Sequence, residues 1–223
     1  MKKLLFLLWG ALAALMLLDC ESKDKKTCSP INYAFNLSVS NNLQAGPIQV
    51  GEDLELKIRF AKELVDINSQ AAIGVEGLAI RSALILKDYT HDKGELSQYP
   101  SAKLDFDVDV VEGSQLTLAD DHPTLQNNET ILFEPSLNGD FYTLSLVLRP
   151  KRAGIFYFYW RDGNTNEQNT ALFPQNGLEC EGRYSFSFDN ISVNNFNLFD
   201  QNQFLSTRRD LISSSGILAV KVE

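Results

Sequence analysis

The sequence predicts an all-β fold: an antiparallel β-sandwich of the immunoglobulin-like or a related type, with a β-barrel as the alternative. Two observations support this prediction. Apolar and polar residues alternate with a period of two through much of the chain, and apolar residues at helical spacing are scarce. Because successive side chains of a strand point to opposite faces, such segments are typical of strands with one buried face. We expect roughly seven or eight strands joined by turns.

The clearest alternation is at residues 54–60, where Leu54, Leu56, Ile58 and Phe60 share one face. Charged residues occupy the opposite face. Other segments show the same pattern, the first three more completely than the last three: 104–110, 142–149, 184–189, 33–39, 80–86 and 217–222.

Residues 155–160 are apolar or aromatic on both faces, which predicts a central strand covered on both sides. Pro150 and Gly154 bracket three residues just before this segment. This spacing predicts a hairpin that joins strands 142–149 and 155–161.

The remaining stretches contain few strand signals. Residues 112–130 and 161–182 are rich in Gly, Asn, Asp and Pro, and we interpret them as long loops. A short helix is expected near residues 196–212, where phenylalanines lie among Asn and Gln.

The N-terminus has the pattern of an export signal. Two lysines, Lys2 and Lys3, precede an apolar run over residues 4–18. A helix of that length rises about 22 Å, which is short for the ~30 Å hydrocarbon core of a bilayer. We interpret residues 1–19 as a signal peptide that is removed.

The end of this run, Leu17-Leu18-Asp19-Cys20, resembles the lipobox of bacterial lipoproteins in its apolar residue three places before a cysteine. The resemblance implies cleavage before Cys20 and acylation of that residue. The polar residues that follow predict a flexible, lipid-anchored tether over residues 20–30 and a single β-sandwich domain over residues 31–223.

With this tether, the chain is similar to the envelope lipoproteins of Gram-negative bacteria that carry one β-sandwich domain. The similarity implies attachment to the membrane through the lipid and a location at the outer membrane, on either its periplasmic or its surface face.

The cysteine count agrees with export. The chain has three cysteines, and once Cys20 carries lipid, Cys28 and Cys180 remain as one possible disulfide. The alternative is two free buried thiols.

Composition argues against several classes of function. The formal net charge of −9, with no basic cluster, disfavours nucleic-acid binding. The two histidines are too few for a catalytic zinc site, and the chain has no nucleophile elbow, phosphate loop or dinucleotide fingerprint. We therefore expect no cofactor and no catalytic residues.

Asp105, Asp107 and Asp109 have the spacing that opens a calcium-binding loop. Val110 stands where such a loop needs glycine, and the aspartates alternate with apolar residues as on a strand. We interpret them as one solvated strand face, with a surface calcium site as the alternative.

Trp160 ends the aromatic segment and precedes a polar turn, so one face of its ring is a candidate platform for a sugar. Tyr157 and Tyr159 are candidates for the same role in sugar binding. Burial in the core is the alternative for all three residues.

These observations favour a non-catalytic, membrane-anchored module that binds an envelope protein or a glycan. A structural accessory subunit of an outer-membrane complex, with no small ligand, is the alternative. A small hydrolase with paired carboxylates is a third hypothesis.

Overall fold

The structure is a computed structural model. The residues that it describes are 27–44, 46–90, 99–117, 130–164, 169–175, 177–190 and 217–223. The predicted signal peptide, Cys20, most of the tether and the predicted helix near 196–212 lie outside these residues. No helix among the described residues has the length and apolarity needed to cross a membrane.

The fold is all-β, as predicted. Fourteen strands, numbered in chain order, lie in the described residues and form two large sheets and one small hairpin. The first sheet contains seven of them: β1 (Ile31–Asn41), β2 (Leu54–Ala61), β6 (Phe106–Glu112), β9 (Ser136–Asn138), β10 (Phe141–Pro150), β12 (Thr170–Gln175) and β13 (Leu178–Asn190). Their order is β12-β13-β1-β2-β10-β6, and β9 also pairs with β10.

The second sheet has the order β14-β11-β5-β8-β7. Its strands are β5 (Ser82–Asp88), β7 (Ser114–Leu116), β8 (Thr130–Glu134), β11 (Gly154–Asp162) and β14 (Ile217–Val222), and all four pairings are antiparallel. The hairpin consists of β3 (Glu63–Val65) and β4 (Ala72–Gly74).

The two large sheets pack face to face through aromatic side chains. Phe106 of β6 lies edge-on against Phe156 and Phe158 of β11, with ring centroids 4.9 and 5.1 Å apart. All three rings are buried. This is the sandwich that the period-two alternation predicts, because each sheet buries one face against the other.

The strand at 54–60 agrees with its prediction. Leu54, Leu56, Ile58 and Phe60 of β2 are buried and the charged residues between them are exposed. Burial of each such side chain contributes about 1.5–3 kcal/mol, so this alternation fixes which face of β2 packs inward.

The predicted strand 104–110 starts too early. Leu104 is 87% exposed because residues Lys103–Asp105 form a short 3₁₀ helix. Strand β6 begins only at Phe106. The alternation of the sequence continued across this turn, so the sequence pattern could not locate the boundary.

The predicted hairpin between residues 142–149 and 155–161 is wrong. Strand β10 pairs with β2, β6 and β9, whereas β11 pairs with β5 and β14. Residues 151–153 therefore cross from one sheet to the other. The crossing is held by a hydrogen bond of 2.8 Å from the Lys151 amide to the Asp105 carbonyl oxygen.

The chain also changes sheet at Gly113, between β6 and β7. Gly113 has φ of 98°, and a Cβ there would lie 2.7 Å from Leu144 Cδ1 and 2.8 Å from the Glu134 carbonyl oxygen. Only glycine fits both the backbone conformation and the space. The sharp corner lets consecutive strands enter different sheets.

The two predicted loops contain strands, which corrects that interpretation. Strand β7 lies within 112–130, and β12 and the start of β13 lie within 161–182. The turn-forming residues of these stretches are compatible with short strands because backbone pairing with neighbours outweighs weak local propensity.

The chain divides into two compact units. The described part of the smaller unit comprises residues 27–31, 172–175 and 177–181, and it contains the predicted disulfide between Cys28 and Cys180, with Cα atoms 5.5 Å apart. The Ser29 amide also donates to Gln175 Oε1 at 2.7 Å. The larger unit holds residues 32–171 and 182–223, and the residues discussed below belong to it.

Candidate ligand-binding site

Trp160 is not an exposed platform, which corrects the first candidate. Its side chain is 4% exposed and its ring lies 6.3 Å from that of Phe133 and 6.2 Å from that of Phe188. The reason is the position of β11 inside the second sheet, with its Phe156–Trp160 face turned toward the first sheet. No ring face of Trp160 is open to a sugar.

Tyr157 and Tyr159 lie on the opposite face of β11. Tyr157 is 1% exposed and its ring contacts that of Tyr89 at 4.7 Å. Tyr159 is half-buried and packs against a cluster that contains Tyr157, Ile217 and Ala219. Both tyrosines therefore help to cover the outer face of this central strand, which is buried on both sides as predicted.

Asp105, Asp107 and Asp109 each contact a cation, and we call these contacts the ion-pair row. Lys151 Nζ lies 2.7 Å from Asp107 Oδ1, and Arg149 pairs with Asp109. Each carboxylate has its own cationic partner on β10 or the crossing that follows it, because the antiparallel register brings β10 beside β6. In the described residues all three carboxylates are thus engaged in ion pairs, and no group of carboxylates there is arranged to hold a metal ion.

Arg152 is the most connected member of the ion-pair row. Its Nε and Nη2 atoms donate to the two carboxylate oxygens of Asp105 at 2.8 and 2.7 Å, and Nη2 also donates to Asp88 at 2.7 Å. The hydrogen bonds to Asp105 are the main reason that the pKa of Arg152 is raised. Burial raises the pKa of Asp88, but hydrogen bonds from Thr90 and Arg152 outweigh it and lower that pKa overall.

A different arrangement surrounds a cavity of about 200 Å³, which we call the polar cavity. Its lining side chains come from the start of β1, the middle of β13 and the residue before β12: Asn32, Tyr33, Asn169, Arg183, Tyr184 and Ser185. Among the described residues, the lining includes one cation and no carboxylate. In the described residues no group of His, Cys, Asp and Glu side chains is arranged to hold a metal ion.

Asp162 lies outside the described lining of the cavity and holds the Asn169 side chain of that lining through a hydrogen bond. One carboxylate oxygen accepts a hydrogen bond of 3.0 Å from the Asn164 amide. The other accepts from Asn169 Nδ2 and from the Phe186 amide, both at 3.0 Å. Burial raises the pKa of Asp162, and these three donors oppose the rise. The carboxylate therefore joins the end of β11 to β13 and orients the Asn169 side chain.

Tyr184 is fixed in the wall by Ala79. Its hydroxyl accepts from the Ala79 amide at 3.2 Å and lies 3.3 Å from the Ala79 carbonyl oxygen, to which it donates. Burial is the main reason that the pKa of Tyr184 is raised, and the charge of Asp162 adds to it. The charge of Arg81 acts in the opposite direction, so Arg81 lies close to this phenol.

The arginines at this end differ from those of the ion-pair row. Among the described residues, neither Arg81 nor Arg183 has a carboxylate within 4.0 Å. The Arg81 Nε atom is buried and has no hydrogen-bond partner in this part of the chain. The structure thus places one guanidinium group without a carboxylate within 4.0 Å, that of Arg183, in the described lining of the polar cavity.

Sequence reasoning missed every residue of the polar cavity. The lining side chains are ordinary surface types, and they come from segments about 150 residues apart. The only local signal was Tyr33 and Tyr184, which lie in segments of alternating apolar and polar residues. Such a position equally predicts packing of the ring in the core.

Comparison with known proteins adds little. No family model and no curated protein matches the chain. Among solved structures it has a distant likeness to the CupB6 tip adhesin from Pseudomonas aeruginosa, with 12% identity and a TM-score of 0.20. The match covers 73% of this chain and 43% of that chain, so this chain spans less than half of the adhesin structure. A likeness at this level supports no argument about function.

Proposed function

We propose that the chain is a membrane-anchored, non-catalytic binding module of the cell envelope, and that the polar cavity is its ligand site. The observation that carries the proposal is Arg183, which lines the cavity and has no carboxylate within 4.0 Å among the described residues. Binding sites commonly place a few such polar groups in a small concave surface.

The composition of the lining supports binding rather than catalysis. Within the described part of the lining, Ser185 is the only aliphatic hydroxyl, and no histidine or carboxylate there stands beside it as a base. The nearby carboxylate of Asp162 is already engaged by three hydrogen-bond donors.

The compartment in this proposal rests on two features. The disulfide between Cys28 and Cys180 is typical of proteins in oxidising compartments. The lipobox-like segment ending at Cys20 supplies the membrane anchor, with the outer membrane as the location and an envelope protein or glycan as the partner.

The test uses the full chain, purified in detergent micelles, on a glycan array and in co-purification from envelope extract. A Ser185→Trp substitution fills the polar cavity and should abolish the signal. Ser38→Trp is the matched control, because Ser38 is also exposed on this sheet, in β1, but lies outside the lining. Equal signals from both variants would refute the cavity as the ligand site.

Membrane attachment is tested separately. Metabolic labelling with palmitate should mark the wild-type chain and not a Cys20→Ala variant. Recovery of an unlabelled wild-type chain with an intact Met1 would refute the anchor while leaving the binding site to be judged on its own result.

A further inference from the structure

The charge of the polar cavity indicates the chemistry of its ligand. The chain has 29 acidic and 20 basic residues. Lys62, Arg149, Lys151, Arg152 and Lys221 have a carboxylate within 4.0 Å, whereas Arg59, Arg161 and Arg183 have none among the described residues. What distinguishes Arg183 is its place in the polar cavity, where it is the only charged side chain among the described lining residues.

From this arrangement we infer that the polar cavity binds a carboxylate-bearing sugar unit, such as a uronic acid residue of a glycan. The inference rests on the proposed binding function and deepens it by naming the class of ligand. Arginine suits this role because its planar group of N–H donors matches the two oxygens of a carboxylate.

The carboxylate of Asp162 does not prevent entry of an anion. Asp162 is not part of the lining, and the Asn169 side chain, which is, donates to it. Two backbone amides, those of Asn164 and Phe186, also donate to it and disperse its charge. The charge of Arg81 also acts on the Tyr184 phenol, in the direction opposite to that of Asp162.

The remaining lining favours a sugar over an acidic peptide side chain. Asn32, Asn169 and Ser185 offer both donors and acceptors, which suits hydroxyl groups that also do both. Tyr33 is half-buried and contributes an aromatic side chain to the lining. An aspartate or glutamate side chain of a peptide would bind only to Arg183 and not to the other polar groups of the lining.

The volume agrees with a single sugar unit. The cavity is smaller than the sites of about 300–1,000 Å³ that hold drug-sized ligands. One ring with its carboxylate therefore fits better than a longer compact ligand.

The test compares two probes that differ only at C6. Methyl glucuronide carries a carboxylate there and methyl glucoside carries a hydroxymethyl group. We expect the full chain in micelles to bind the glucuronide at least tenfold more tightly, measured by NMR titration. Acetate, which has the carboxylate and no ring, should bind at least tenfold more weakly than the glucuronide.

Arg183→Gln should remove the preference for the glucuronide. Arg161→Gln is the matched control, because Arg161 is exposed on β11, has no carboxylate within 4.0 Å in the described chain and does not line the cavity. It should bind the glucuronide as the wild type does. Circular dichroism of both variants shows whether each remains folded.

Three results would overturn the inference. Equal binding of both glycosides removes the role of the carboxylate. Acetate binding as tight as that of the glucuronide indicates an acidic side chain of a peptide as the ligand. An unchanged preference in Arg183→Gln places the site elsewhere. If a neutral glycan binds and is blocked by Ser185→Trp, the binding function stands and only the ligand class fails.

Discussion

The ion-pair row and the polar cavity use arginine in opposite ways. Around Arg152 the guanidinium is shared by the carboxylates of Asp88 and Asp105, so its donors are used within the protein. Arg183 has no carboxylate within 4.0 Å among the described residues. The difference teaches that a charged side chain indicates a ligand site only when the fold leaves its charge uncompensated. The following substitutions test that distinction.

The largest expected effect is that of Arg152→Ala. It leaves Asp88 and Asp105, which are 16% and 25% exposed, without their shared cation. We expect a loss of about 2 kcal/mol in the free energy of unfolding, below the 3–5 kcal/mol of a fully buried pair because Arg152 itself is 40% exposed. Urea denaturation measures it, and a loss under 0.5 kcal/mol would contradict a structural role for the row.

Arg149→Ala should cost less than Arg152→Ala. Arg149 pairs with Asp53 and Asp109, which are 52% and 59% exposed and remain hydrated when the cation is removed. The same denaturation series, run at low and high salt, should show a smaller loss that salt reduces further. A loss equal to that of Arg152→Ala would mean that exposure does not rank these pairs.

The two regions should also differ in pH dependence. The pKa of Asp88 is lowered in the folded state, so its contribution to stability is present above its ordinary value of 3.8 and is lost as pH falls through the lowered pKa. Asp88→Asn should therefore reduce the loss of stability in acid. Denaturation midpoints of this variant and the wild type between pH 2 and 5 measure the effect.

Asp162 should show the opposite sign. Its pKa is raised by burial, so the folded protein holds this proton more tightly than the unfolded chain. Its contribution to stability therefore falls as pH rises from 3.8 through the raised pKa. Against Asp162→Asn as reference, the wild type should lose relative stability over that window, and a relative gain there would show the sign to be wrong.

The smallest effect is expected for Arg183→Gln. Since Arg183 has no carboxylate partner in the described chain, its removal should change the free energy of unfolding by less than about 0.5 kcal/mol. A loss as large as that of Arg152→Ala would show that Arg183 is structural, and the contrast between the two regions would disappear.

The sequence predicted the parts of the fold that depend on local pattern. The alternation of Leu54 to Phe60 located β2, and apolar residues on both faces located β11 as a central strand. The hairpin prediction failed because a three-residue spacing is equally compatible with a crossing between sheets. The path of the chain after β10 is decided by contacts of Arg152 with Asp105 and Asp88, which are 47 and 64 residues away in the sequence.

The candidate site could not be predicted from the sequence for the same reason, because it also depends on contacts between residues far apart in the chain. Trp160 was the natural choice because aromatic rings at strand ends bind sugars, yet Phe133 and Phe188 cover it. The aspartates of the ion-pair row had the spacing of a metal site, but their charges are met by residues about 40 positions away. Whether a charged side chain has an ion-pair partner depends on the folded chain, and the local spacing of residues does not show it.

If Cys20 holds a lipid, as proposed, the cystine at Cys28 and Cys180 limits how far the disulfide-bonded unit can lie from the bilayer. Residues 21–27 separate Cys20 from Cys28, which is bonded to the start of β13. Eight fully extended steps reach no more than about 28 Å. The unit that contains this bond would then stay within one bilayer thickness of the lipid surface, where it can meet partners embedded in the same membrane.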